Sequence, residues 1–266
     1  MTAYGGETPR FYGEHRWRPC AALVRQLVDS VGLDRSAQVV DVGSGPGTVA
    51  LALAGTVGHV TAIDIESDML AEARRRAAAA GLTNTTWLCA DAHQVVWTNL
   101  GEPACITFGT SFHWMQPHNI LLERIAADVP ASVAVVVIAS EAVPNPPERA
   151  AIGALWSLLD HVAPGPSLHS PAGSLTEHAA TLRSSPFSEV DTIRVEVSVE
   201  PLDVGSAVGF LYSHAWVLDR LGDRRTAFES AARDLLGPIL GNGTAAPTRR
   251  TDVALIARRP RAWTQS

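Results

Sequence analysis

The chain has 266 residues, 46% of them apolar and 18% charged, with a formal net charge of -6. That length supports a substantial core, as one large domain or a core with a cap. The acidic balance disfavours a duplex nucleic-acid partner, since phosphate neutralisation needs excess cations. The longest apolar run, "VAVVVI" at 133–138, is too short to span a bilayer, and the first twenty residues hold no apolar signal core. A cytoplasmic protein with no membrane partner is expected. All 21 basic residues are arginine. Without lysine there is neither a pyridoxal Schiff base nor a G-x-x-x-x-G-K-[ST] phosphate loop. The cysteines Cys20, Cys89 and Cys105 and the scattered histidines lack metal-ligand spacing, so no metal is expected.

In chain order, an N-terminal arm leads to the first predicted helix, where Leu23, Val24, Leu27, Val28 and Val31 share one face. Pro19 suits its start and Gly32 its stop. "QVVDV" (38–42) reads as a buried strand, and residues 48–54 as a helix that begins at a glycine turn. "HVTAIDI" (59–65) is the second strand. Ser67 is placed to cap the next helix and Gly81 to end it. Within that helix, Arg74-Arg75-Arg76 reads as a solvated face. Strands follow at 85–91, 104–109 and 132–140, with a helix at 117–128 before the last. This alternation predicts a parallel sheet covered by helices on both faces.

Beyond position 140 the pattern changes. Breaks at "VPNPPE" and "APGPSLHSPAGS" flank an apolar helix, "AIGALWSLLDHV". "VDTIRVEVSV" (190–199) alternates as a half-buried strand does, a polar and aromatic stretch runs from 201 to about 240, and "DVALIARR" (252–259) is a final strand. The predicted organisation is one domain over 1–266. It comprises an N-terminal arm and helix (1–36), a cofactor-binding core (37–140), cap segments (141–185 and 200–245) and closing strands (190–199 and 252–259).

The glycine turn sits at the end of the first strand, where open α/β sheets bind their ligands. Gly43, Gly45 and Gly47 give G-x-G-x-G, whereas the dinucleotide fingerprint needs a glycine at 48 and meets Thr48. Asp41, inside the strand, disfavours a pyrophosphate and favours a cation. S-adenosylmethionine carries a sulfonium and an ammonium and no phosphate. Asp64, ending the second strand, is placed to accept from both ribose hydroxyls, and Asp91, ending the third, from the adenine amino group.

With "VVDVGSGPG", "AIDIESDML" and "CADAHQV" in this order, the segment from Gln38 to Ser140 resembles the class I S-adenosylmethionine-dependent methyltransferases. The likeness implies an α/β, Rossmann-like, seven-stranded sheet with its last strand antiparallel, here with helical cap insertions. It implies that Asp41, Gly43 and Gly45 hold the methionine moiety, Asp41 often through water. It further implies that Asp64 holds the ribose, Ile65 packs on the adenine, and Asp91 and Ala92 face the adenine edge. The product would be S-adenosylhomocysteine. "FYGEHRWRP" and "SFHWM" are similar to segments of the trans-aconitate methyltransferase-like small-molecule group, whose Y-x-x-x-R-P is matched by Tyr12, Arg16 and Pro19 around an inserted Trp17-Arg18.

His113, in "TSFHWM" after the fourth strand, is the most natural base in the chain, with an ordinary pKa near ~6.5. Its other reading is a hydrogen-bonded wall residue packed with Trp114, the pair lining the acceptor pocket. Tyr12, His15 and Trp17 form either a lid or a loose arm. Phe210, Tyr212, His214 and Trp216 in "FLYSHAW" form either a substrate cap or a core element. The expected partner is a small, largely apolar or aromatic methyl acceptor of bacterial secondary metabolism. O-, N- and C-methylation and the oligomeric state stay open. The rival readings are a nicotinamide-dependent oxidoreductase and a non-catalytic S-adenosylmethionine-binding domain.

Overall fold

A computed structural model describes residues 4–166, 173–241 and 247–260. Parts of the 141–185 and 200–245 segments and of the "APGPSLHSPAGS" break therefore lie outside the described residues. The chain divides into two compact units.

The first unit, the sheet unit, comprises 18–140, 171–195 and the chain from 252. The seven-stranded sheet is centred on it: β1 (Gln38–Val42), β2 (His59–Asp64), β3 (Thr85–Cys89), β4 (Cys105–Gly109), β5 (Ala134–Ala142), β6 (Glu189–Val199) and β7 (Thr248–Arg258). The strand order is β3-β2-β1-β4-β5-β7-β6, with the closing strand antiparallel. β1 lies between β2 and β4, both parallel to it, and Asp41 is in register with Ala62 on one side and Thr107 on the other. Because β1 is covered on both faces, four of its five residues are buried, three valines and Asp41.

The helices of this unit are α2 (Ala21–Val31), α3 (Thr48–Ala54), α4 (Ser67–Ala79), α5 (His118–Asp128) and α7 (Leu175–Arg183). α2 stops as expected at Gly32, which takes the left-handed conformation at φ 76°. Its N-cap is Cys20, one residue after Pro19, and the Cys20 sulfur accepts the Leu23 N–H at 3.4 Å. Two expectations for α4 need correction. Ser67 is its first helical residue, and Glu66 holds the N-cap position without a side-chain capping bond. The arginine run is only partly a solvated face: Arg74 and Arg75 are exposed, but half-buried Arg76 donates to the Pro46 carbonyl at 2.6 Å and so braces the glycine turn. The core of the unit joins Val40, Val42, Ile106, Phe108, Phe112 and Leu122 to Phe187, Val253 and Leu255.

The second unit comprises the chain to Trp17, 141–170 and 196–251. It is largely helical: α1 (Thr8–His15), α6 (Pro146–Val162), α8 (Val204–Tyr212), α9 (Val217–Leu221) and α10 (Arg225–Leu240). α6 begins on a capping box, in which Asn145 Oδ1 accepts the Glu148 N–H and Glu148 reaches back to the Asn145 N–H. The "VPNPPE" break is thus a helix start. Leu155, Leu159, Leu211, Tyr212, Phe228, Ala232 and Leu236 form this unit's own core. α1 turns the expected arm into a helix packed on α8, where Gly209 leaves room for the His15 ring.

Candidate functional site

The glycine turn is built by crowding and by charge. Gly43 has φ 63°, and a β-carbon there would lie 2.5 Å from Ser111 Cβ, so only glycine lets the segment after β4 approach. Gly45 has φ 54° with nothing within 4 Å of where a β-carbon would stand, so this side of the turn faces open space. The N-cap of α3 is Gly47, which has no side chain to satisfy the helix's first amides. Asp41 does that work from β1: its Oδ2 accepts the Ala50 N–H at 3.0 Å, and its Oδ1 accepts the Thr107 hydroxyl at 2.7 Å. The carboxylate is 1% exposed, and burial pushes its pKa up to about 7. Both oxygens are engaged inside the fold, one layer behind the turn.

Asp64 stands on the open side. Its Oδ2 accepts the Gly45 N–H at 2.6 Å and its Oδ1 the Glu66 N–H at 2.9 Å. Burial raises its pKa, and these amide bonds oppose that rise. Beside it Ile65 is 65% exposed, an unusual place for a large aliphatic side chain at a strand end. Ser44, in the turn, has a buried Oγ with no hydrogen-bond partner. A turn with open space at Gly45, an unsatisfied Ser44 hydroxyl, a strand-end carboxylate and an exposed apolar side chain fits a nucleoside carrying a polar tail.

Asp91 departs from its expected place. β3 ends at Cys89, so Asp91 lies in the following turn, where Oδ1 accepts the His93 N–H at 2.8 Å. Asp91 is exposed and Ala92 is buried. Arg124 fixes the turn by donating to the carbonyls of His93 and Val95.

After β4 the chain passes through Thr110, held at φ 52°, a conformation costly for a β-branched residue. Ser111 Oγ donates to the Val42 carbonyl at 2.6 Å, tying this segment to the end of β1. A single 3-10 turn, Phe112–Trp114, follows. His113 is half-buried with its ring 5.4 Å from that of Trp114, which is 49% exposed. Two histidines that sequence reading did not single out join it. His118 Nε2 lies 2.8 Å from the Phe112 carbonyl, and its ring stacks on Phe112 at 4.5 Å. His178, from α7 and 6% exposed, lies parallel to the His113 ring at 6.5 Å. Burial, and then the nearby His118, lower the His113 pKa. His118 opens α5 five residues after His113, a spacing that carries no helical-face signal in the sequence. His178 comes from a distant helix and had none.

In the helical unit, Tyr12 and Trp17 are half-buried. His214 lies against Trp156 at 4.9 Å, and burial followed by the charge of Arg16 lowers its pKa to about 4. Trp216 is tilted over Trp156 at 5.7 Å. Tyr212 is a core residue: it is 1% exposed, packs edge-on to Phe11 at 5.2 Å and donates its hydroxyl to Glu229 at 3.1 Å. Among the described residues, no three His, Cys, Asp or Glu side chains are placed to hold a metal ion, and no helix is long and apolar enough to cross a membrane.

Residues 39–130, which contain the glycine turn, Asp64 and His113, match the methyltransferase domain family. The chain is 29% identical to an uncharacterised methyltransferase of Mycobacterium bovis over 161 residues, covering 60% of this chain and 75% of that protein. It is 32% identical to a trans-aconitate 2-methyltransferase of Mycobacterium tuberculosis over 117 residues, which is 42% of this chain and 39% of that one. Among solved structures, an S-adenosylmethionine-dependent methyltransferase from Geobacter sulfurreducens, in complex with S-adenosylhomocysteine, superposes with a TM-score of 0.54. It has 17% identity and covers 96% of this chain and 100% of that chain.

Proposed function

We propose that this chain, a class I S-adenosylmethionine-dependent methyltransferase, methylates a small, largely apolar or aromatic molecule of bacterial secondary metabolism in the cytoplasm, with no nucleic-acid or membrane partner. The observation that carries the acceptor assignment is the placement of half-buried His113 beside exposed Trp114, directly after the segment that Ser111 ties to the end of β1. S-adenosylmethionine supplies an electrophilic methyl group, and S-adenosylhomocysteine is left when a nucleophile takes it. The protein's share is to orient the acceptor, exclude water and accept a proton where the acceptor is not already ionised. Asp64 and Ser44 are assigned to the nucleoside and its tail, and Ile65 to the adenine face. Asp41 is assigned to the turn behind them. Asp91 and Ala92 keep the adenine edge as their proposed neighbour.

Thr48 occupies the position where a nicotinamide enzyme of this architecture needs its third glycine. His113 is proposed to line the acceptor pocket and to take the acceptor's proton. Burial, and then the nearby His118, lower its pKa and so favour the neutral imidazole, the form that accepts.

The test is release of S-adenosylhomocysteine over a panel of phenols, aromatic amines and aromatic acids, followed by His113→Gln across pH. For a phenol of high pKa, the variant should lose about 10²–10⁴ in kcat together with the acidic limb of the profile. A raised KM alone would reduce His113 to a wall residue. No turnover with any acceptor, despite tight cofactor binding, would leave only a binding domain.

A further inference from the structure

Arg16 follows the last residue of α1 and is half-buried in the helical unit. Its Nε donates to Ser213 Oγ at 2.6 Å, and Ser213 in turn donates to the Phe210 carbonyl at 2.5 Å. The guanidinium carbon stands 5.2 Å from the centre of the Tyr12 ring and 4.7 Å from that of Phe210, so two aromatic faces flank the cation. Other arginines of the same unit face carboxylates: Arg10 with Glu7, Arg220 with Asp160, and Arg225 with Glu7 and Glu229. Among the described residues, no carboxylate forms an ion pair with Arg16.

A half-buried guanidinium without a counter-ion is unfavourable, because desolvation is only partly offset by ring faces. Burial accordingly lowers the Arg16 pKa from its usual value. The Nε edge is committed to Ser213, which leaves the planar Nη groups. These form a fork matched to two oxygens in one plane.

We propose that the helical unit binds a small aromatic carboxylate, with its carboxyl group paired to the Nη atoms of Arg16 and its ring set among Tyr12, Phe210 and the neighbouring side chains. His214, whose ring stands 5.2 Å from Phe210, donates from Nδ1 to the Leu211 carbonyl at 3.0 Å. A carbonyl only accepts, so Nδ1 carries the proton and Nε2 is an acceptor. With its pKa at about 4, His214 adds no second positive charge at neutral pH. One cation with one planar fork suits a carboxylate monoanion better than a phosphate dianion. The assignment needs neither cofactor nor turnover, so it goes beyond methyl transfer and stands or falls apart from it.

The test uses the full chain with benzoate, its neutral isostere benzamide, and phenyl phosphate. Titration calorimetry should show benzoate binding about ten- to a hundredfold more tightly than benzamide, the range of a charge-assisted hydrogen bond. Arg16→Gln should abolish that preference and Arg16→Lys should keep only part of it. Where Arg16→Gln does not fold, the wild-type protein decides. Benzoate should move the Arg16 Nε–Hε resonance in a 15N spectrum, and benzamide should not. Equal binding of benzoate and benzamide, an unmoved Arg16 resonance, or tighter binding of phenyl phosphate would each overturn the carboxylate assignment.

Discussion

At the glycine turn of the sheet unit, two carboxylates are met by backbone amides. Asp41 holds the Ala50 N–H, and Asp64 holds those of Gly45 and Glu66. In the helical unit one guanidinium, that of Arg16, is met by aromatic faces at Tyr12 and Phe210. Amides fix direction to a few tenths of an ångström, and so they shape a turn. Ring faces tolerate sliding, and so they hold a cation while leaving its fork able to meet a ligand. The first arrangement belongs to a rigid cradle and the second to an adaptable recognition surface.

Asp41 offers the largest way to break this contrast. Its folded pKa of about 7 lies above the ordinary 3.8 because burial opposes the charged form. The sign follows from linkage: the contribution is fully present below about pH 3.8 and is lost as pH rises through about 7. Asp41→Asn keeps an acceptor for Ala50 and presents an amide donor to the Thr107 hydroxyl. Relative to wild type, the variant's unfolding free energy should rise between pH 4 and pH 8 by up to about 4 kcal/mol. Urea unfolding across that range checks it, and a pH-independent difference would mean that the carboxylate stays ionised throughout.

How much was legible follows the same division. β1, β2 and β4, the glycine turn and the helix it starts were readable, because each is specified by neighbours in sequence: apolar runs, glycines and strand-end aspartates. Gly45 and Asp64 meet at the turn, with Ile65 next to Asp64, the neighbourhood that the resemblance implies. "TTWLCAD" reads as one strand to Asp91, but pairing with β2 stops at Cys89, where the strand formers give way to Ala90 and Asp91. Asp41 reads as a ligand residue; Gly47, before α3, shows that the helix has no side-chain cap, but that Asp41 meets its amides instead comes from packing. The helical unit was poorly legible between 201 and 240. α8 and α9 are short, separated by a turn, and held by partners such as Phe11 and Trp156 from far along the chain. Their order comes from packing, and so does the meeting of Arg16 with Ser213, 197 residues apart in sequence.

Asp64 sharpens the cradle side. Asp64→Ala removes the acceptor of the Gly45 and Glu66 amides together with the one proposed for the ribose. Charge-assisted bonds are worth about 1.5–3 kcal/mol, so S-adenosylmethionine affinity should fall roughly ten- to a hundredfold by calorimetry on folded protein. An unchanged affinity removes Asp64 from the site.

The packing side is tested at Gly209. An added β-carbon would run into the His15 ring, while alanine would gain about 1 kcal/mol of helix propensity. Overpacking costs typically about 1–3 kcal/mol, so Gly209→Ala should lower the unfolding midpoint modestly. Adding His15→Ala should then recover most of the loss, since the clash and its relief share one contact. A double variant no more stable than Gly209→Ala would show that α1 is not seated on α8 through this ring.

The smallest effect is expected at Ile65. Its side chain is 65% exposed, so the fold gains little from it, and Ile65→Ser should leave stability within about 0.5 kcal/mol. If the adenine ring covers it, binding hides apolar surface that the serine variant lacks. Partial cover of an aliphatic side chain is worth about 1 kcal/mol, hence an approximately fivefold weaker S-adenosylmethionine affinity. The loss should appear equally for adenosine and be absent for methionine, because only the former carries the ring. A loss shared by methionine would trace the effect to the turn rather than to adenine. No loss with either adenosine compound would leave the exposed isoleucine without a part in the cradle, and Asp64 would then have to orient the nucleoside without it.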